Sequence, residues 1–135
     1  LGGAIEAQQN PLTVTGCTFD SNTAQGMGGA IEFEAATLSI LNSTFYGNSA
    51  KELRGGAIAP FGTMMLTNST IVGNSAPDDG GFYNVNVADV KGTILAGNSG
   101  GNCAGNPAAT DLGYNISDDK TRGFIATEAP RTATA

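Results

Sequence analysis

The chain of 135 residues contains no histidine and no tryptophan, only two cysteines, and six basic residues against twelve acidic ones. Each shortage removes a class of function. Without histidine, the commonest general base and metal ligand near neutral pH is missing. A net charge of −6 with so few cations argues against nucleic acid or an anionic membrane as partner, since both are held by clustered Lys and Arg. No apolar run approaches the ~20 residues of a membrane span, and the opening Leu1-Gly-Gly-Ala-Ile5 is not a signal peptide. Two cysteines do not fix a redox compartment. The length suits one domain with a continuous core.

Glycine is abundant, with 20 residues, and it recurs on a beat. Gly-Gly-Ala-Ile occurs at 2–5, 28–31 and 55–58, and a degenerate Gly-Gly-Phe-Tyr follows at 80–83. A second block reads LTVTGCTFDSNTA at 12–24, LSILNSTFYGNSA at 38–50, MMLTNSTIVGNSA at 64–76 and ADVKGTILAGNSG at 88–100. A fixed period of this length decides a fold, because each unit buries its apolar face only against its neighbours.

Within the second block apolar and polar residues alternate, as in Leu12-Thr13-Val14-Thr15. Period two means a strand with one face buried, and the β-branched and aromatic residues suit it. Gly16, Asn42, Asn68 and Gly92 break the block into two short strands, and Gly-Gly-Ala-Ile supplies a third. No stripe of helical period runs for two turns. Three short strands per ~26 residues predict an all-β, right-handed parallel β-helix of four to five coils over residues 1–118, followed by an irregular tail at 119–135. A β-sandwich also has frequent turns, but gives no reason to repeat side chains at this interval.

Stacked coils turn equivalent positions into columns ~4.8 Å apart. The inward columns are Ile5, Ile31 and Ile58; Leu12, Leu38 and Met64; Val14, Ile40, Leu66 and Val90; and the core column Phe19, Phe45, Ile71 and Leu95. Each buried side chain of this kind contributes roughly 1.5–3 kcal/mol before entropy is subtracted. Asn22, Asn48, Asn74 and Asn98 predict an asparagine ladder at a turn, each amide bond worth about 1 kcal/mol net. Asparagine also tolerates the left-handed backbone that a sharp corner requires. Cys17 is expected inside, in a column with Ser43, Ser69 and Thr93, as a small buried hydrophobe. Cys103 falls beyond the fourth coil, roughly 14 Å away by strand spacing, too far for a disulfide between the two.

Gly-Gly-Ala-Ile with Phe-x-x-Asn resembles the repeats of polymorphic outer-membrane proteins and related right-handed β-helix proteins. The stretch Ile94 to Asn106 with Asp111-Leu-Gly-Tyr-Asn-Ile-Ser117 is similar to the end of bacterial "choice-of-anchor Q" proteins. Together the resemblances cover residues 2–118. They imply a secreted or surface-displayed protein with a separate anchor, and a downstream partner for Cys103. The chain shows neither an anchor nor that partner, and ATEAPRTATA at 126–135 does not continue the pattern. With no cap ahead of residue 1, the chain is expected to be a segment of a longer polypeptide that continues at both ends.

The candidates for chemistry are sparse. Glu6 and Glu32 share an outward column, with carboxyls expected ~5 Å apart, the spacing of a retaining glycosidase pair. The column ends at Ala59, however, and no Lys or Arg precedes Lys51, so a lyase lacks its base. They are expected to be solvated surface carboxylates. Asp78-Asp79-Gly80-Gly81 is a polar turn without the six to eight ligands of a Ca²⁺ site. Thr18, Thr44 and Thr70 form a single outward column, too narrow for an ice lattice. Asn42, Asn68 and Asn115 open Asn-x-Ser/Thr sequences that recur for structural reasons. No catalytic residue, cofactor or metal site is therefore expected. The sequence predicts a non-catalytic stalk or adhesive surface, extracellular or at the cell surface, with carbohydrate or a host or cell-surface protein as partner. The alternatives are the flank of a polysaccharide-active β-helix enzyme and an autotransporter passenger unit.

Overall fold

A computed structural model describes residues 2–34 and 36–119, with the backbone of 124–126. The described residues form strands and turns only, and no helix is long and apolar enough to cross a membrane. All strand pairings are parallel, and each joins a strand to its equivalent one coil away. The protein is a parallel β-helix.

Three sheets run along it. The first contains Ile5–Gln8, Ile31–Glu34, Ile58–Pro60, Phe82–Asn84 and Cys103–Gly105. The second contains Leu12–Thr15, Thr37–Leu41, Thr63–Thr67, Ala88–Lys91 and Ala109–Asp111, then Phe124–Ala126. The third contains Thr18–Asp20, Thr44–Tyr46, Thr70–Val72, Ile94–Ala96 and Ile116–Ser117. Each coil contributes one strand to each sheet, and a two-residue pair, Thr23–Ala24 with Ser49–Ala50, adds a short fourth edge between the first two coils.

The expected columns are the observed registers. Ile5 pairs with Ile31 and Ile31 with Ile58. Phe19, Phe45, Ile71 and Leu95 are consecutive partners, and all four are buried. Val14, Ile40, Leu66 and Val90 line up in the same way. Alternation along each strand sends these residues inward to one continuous core.

Residues in left-handed conformation recur at set places along the coils. Between the second and third sheets these are Gly16, Asn42, Asn68, Gly92 and Gly113. After the third sheet they are Ser21, Gly47, Gly73 and Gly97, and before the first sheet Gly28, Gly55 and Asp79. Asparagine and glycine populate this region at least steric cost, which explains why they interrupt the block there. The left-handed asparagines are therefore Asn42 and Asn68. The ladder asparagines follow a left-handed residue instead of adopting that conformation themselves.

The second glycine of Gly-Gly-Ala-Ile answers a different need. A Cβ on Gly29 would lie 2.0 Å from the carbonyl oxygen of Gly56, and one on Gly56 would lie 2.4 Å from that of Gly80. The backbone of one coil rests directly on the next. This corrects the alignment of the fourth unit. Phe82 pairs with Ile58, so Gly80 stands over Gly56, and Asp79 takes the left-handed place of Gly55.

Two further expectations change. Cys17 is exposed, while Ser43, Ser69 and Thr93 in its column are buried. Cys103 continues the inward column Ile31, Ile58, Phe82 and is buried. Neither cysteine is in a disulfide. Phe124–Ala126 pairs with Ala109–Asp111, so strand pairing reaches into the stretch expected to be an irregular tail. The other residues of 120–135 lie outside the described residues.

Candidate functional site

The asparagine ladder forms at the corner after the third sheet. The backbone N–H and the Nδ2 of Asn22 both donate to Oδ1 of Asn48, at 2.9 and 3.0 Å. Asn48 repeats the pair on Asn74, and Asn74 repeats it on Asn98. From Asn48 onward the Nδ2 also reaches the core column: that of Asn48 donates to the carbonyl of Phe19, that of Asn74 to Phe45, and that of Asn98 to Ile71. The ladder and the apolar column are thus tied together, a link that spacing alone does not reveal.

Asn102 closes the ladder. Its Oδ1 accepts from Asn98, and its Nδ2 donates to the Leu95 carbonyl, the Ser117 hydroxyl and Oδ1 of Asp118. Asp118 also accepts the backbone N–H of Gly97. The Asn102 amide, assisted by that N–H, holds the Asp118 carboxyl below its ordinary ionisation range, against the opposing effect of burial. The sequence marks Asn102 only by its place in the Gly-Gly-Asn-Cys stretch.

A second ladder runs at the corner between the second and third sheets. The N–H of Cys17 donates to Oγ of Ser43, that of Ser43 to Ser69, that of Ser69 to Oγ1 of Thr93, and that of Thr93 to Oδ1 of Asn115. These hydroxyls turn back to the carbonyls of Leu41, Thr67 and Lys91. The recurring Asn-Ser-Thr sequences are therefore accounted for by the corner and its ladder.

Glu6 and Glu32 are register partners, but their surroundings differ. Glu6 is exposed and accepts a hydrogen bond from Nε2 of Gln8. Glu32 is 9% exposed, which corrects the expectation of two solvated carboxylates. The corner before the first sheet comes close to this column, since a Cβ added at Gly55 would lie 3.2 Å from that of Ala59, and Ala59 is fully buried.

That corner also contributes to a concave feature of the surface. Arg54 projects from it, with Cζ 4.5 Å from the centre of the Tyr83 ring. Its Nε lies 3.7 Å from Oδ2 of Asp78, which stands one coil along, where the backbones of Arg54 and Asp78 bridge. With them, Gly100, Ala104, Gly105 and Ala108 line a groove of about 560 Å³. Asp79 and Asn106 complete its lining. The sequence marks Asp78 and Asp79 only as a turn, and it misses Arg54 and Tyr83 because they converge through register. Among the described residues no group of three or more Cys, Asp or Glu is placed to hold a metal ion.

The comparisons with known proteins agree with this architecture. Residues 16–34 match the family model of the Chlamydia polymorphic membrane protein repeat. The matched stretch runs from the left-handed Gly16, through the first ladder rung, to the end of the next coil's first strand. The stretch is similar to a β-helix repeat of the polymorphic outer-membrane-protein type. No curated protein and no solved structure matches the chain.

Proposed function

We propose that this chain is a non-catalytic length of a bacterial β-helix displayed at the cell surface, serving as a scaffold that carries a binding face. The observation behind this reading is the polymorphic-membrane-protein repeat set in a stack whose ladder runs unbroken from Asn22 to Asn98. Parallel pairing in every coil makes such a stack resist bending, because a bend breaks several backbone and amide bonds at once. The outward faces carry few charges and vary from coil to coil, as in Asp20, Tyr46, Val72 and Ala96. That variety suits recognition better than repeated chemistry on a polymer.

Antibody raised against residues 2–119 tests display when applied to intact cells of the source organism. Labelling before permeabilisation, lost after brief external proteolysis, is the expected result. Labelling only after permeabilisation overturns the reading. Turnover of uronic-acid polymers by the full-length protein, abolished by Glu6→Gln or Glu32→Gln, would replace it with the enzyme alternative.

A further inference from the structure

The groove at Arg54 has a structural origin that points to its use. From each ladder asparagine to the first inward residue of the next coil, the chain takes nine positions (Asn22 to Ile31), ten (Asn48 to Ile58), eight (Asn74 to Phe82) and then five (Asn98 to Cys103). The long corner of the second coil and the short corner of the fourth leave a step. In repeat proteins, departures from the repeat at one corner fall on one face, and that face is often the binding face.

We propose that this step is a glycan-binding subsite that seats a neutral hexose unit. Four of its lining residues, Gly100, Ala104, Gly105 and Ala108, carry no side chain beyond Cβ, which leaves room for a sugar ring. Its wall is the Arg54–Asp78 pair. The contact at 3.7 Å engages Nε of Arg54, which leaves the terminal guanidinium N–H groups as donors beside the Asp78 carboxylate as acceptor. A donor and an acceptor side by side match vicinal hydroxyls, each of which gives and takes a hydrogen bond. Tyr83 has one ring face covered by the guanidinium, and acts by fixing Arg54 in place.

Charge selects within the class of sugars. Asp78 and Asp79 outnumber Arg54 around the groove, so uronate or sulfated sugars meet a net negative field. A cationic ligand would have to displace Arg54 from the place it already fills between Tyr83 and Asp78. The groove volume falls within the usual range for small-ligand sites, roughly 300–1,000 Å³.

The inference goes beyond surface display and is tested on the purified chain, so its failure leaves the display reading standing. Amide spectra of the ¹⁵N-labelled chain are titrated with cellohexaose, maltohexaose and mannohexaose, and separately with a galacturonate hexamer and pentalysine. The expected result is saturable shifts of the Arg54, Gly100, Gly101, Ala104 and Asn106 amides with at least one neutral hexamer. Arg54→Ala, Asp78→Ala and the fork-removing Arg54→Lys each weaken that binding tenfold or more, while Thr13→Ala on the second sheet does not. Unchanged amides outside the groove show that the variants fold. The proposal is overturned if no neutral hexamer moves these amides, if the acidic hexamer or pentalysine binds there in preference, or if binding survives the Arg54 and Asp78 changes.

Discussion

The ring of Phe19 lies flat on the ring of Phe45, with centroids 4.7 Å apart and planes 6° from parallel. The two residues are strand partners in adjacent coils, so the stacking distance is the strand spacing itself. The same column carries the carbonyls that accept from the ladder amides. Apolar packing and amide bonding therefore hold each coil at the same place.

Asn48 is fully buried, and its side chain takes part in four hydrogen bonds of the ladder. Asn48→Ala strands the Phe19 carbonyl and the donors of Asn22, and is expected to cost about 3 kcal/mol in urea unfolding at pH 7. Asn48→Asp loses the donor and presents a carboxylate to two acceptors, so it should recover part of its loss on acidification. A loss under about 0.5 kcal/mol for Asn48→Ala would show that the ladder adds little.

Asn42 sits at φ 50° in a column with Gly16 and Gly92. Asn42→Gly is expected to leave the midpoint of unfolding almost unchanged. Asn42→Val must hold a β-branched side chain in the left-handed region and should lose about 1–2 kcal/mol. Equal stability of the two variants contradicts the corner assignment.

Two glycines separate conformation from space. Gly16 is left-handed, but nothing lies within 4 Å of an added Cβ, so Gly16→Ala is expected to cost about 1 kcal/mol. Gly56 faces backbone carbonyls at 2.4 Å, so Gly56→Ala must push two coils apart, at about 3 kcal/mol. Thermal unfolding of the two variants ranks them, and the reverse order is evidence against direct coil-on-coil contact.

Asp118 gives the last described corner an acid dependence. Its carboxyl ionises below the ordinary range, chiefly because the Asn102 amide donates to it. The stabilisation is therefore complete above about pH 4, the ordinary aspartate range, and disappears as the pH falls through the lower folded value. Hydrogen exchange at Gly97, whose N–H donates to Asp118, should accelerate in that acid window once intrinsic exchange is divided out. Asp118→Asn should remove the acceleration, and its persistence in that variant assigns the effect elsewhere.

Much of the fold is visible in the sequence, because repetition identifies equivalent residues without knowledge of their contacts. Phe19, Phe45, Ile71 and Leu95 declare a column by spacing, and the registers reproduce it. The Gly-Gly-Phe-Tyr unit misaligns by one position because a glycine match suggests Gly80 over Gly55, whereas the backbone needs a left-handed residue there and finds it in Asp79. Cys17 belongs to the column its spacing indicates, with its N–H on Ser43, but spacing does not give its exposure. The groove escapes a repeat-based analysis altogether. It arises where the corners differ in length, and Arg54 and Tyr83 meet only after three coils are stacked.

Side-chain and backbone contacts across the third sheet in solution test the coil stack most directly. Nuclear Overhauser spectra of the labelled chain should connect Phe19 to Phe45, Phe45 to Ile71, and Ile71 to Leu95, with parallel-strand contacts on either side of each pair. Antiparallel contacts in these segments, or no contact between Phe19 and Phe45, would contradict the parallel β-helix and the groove built on it.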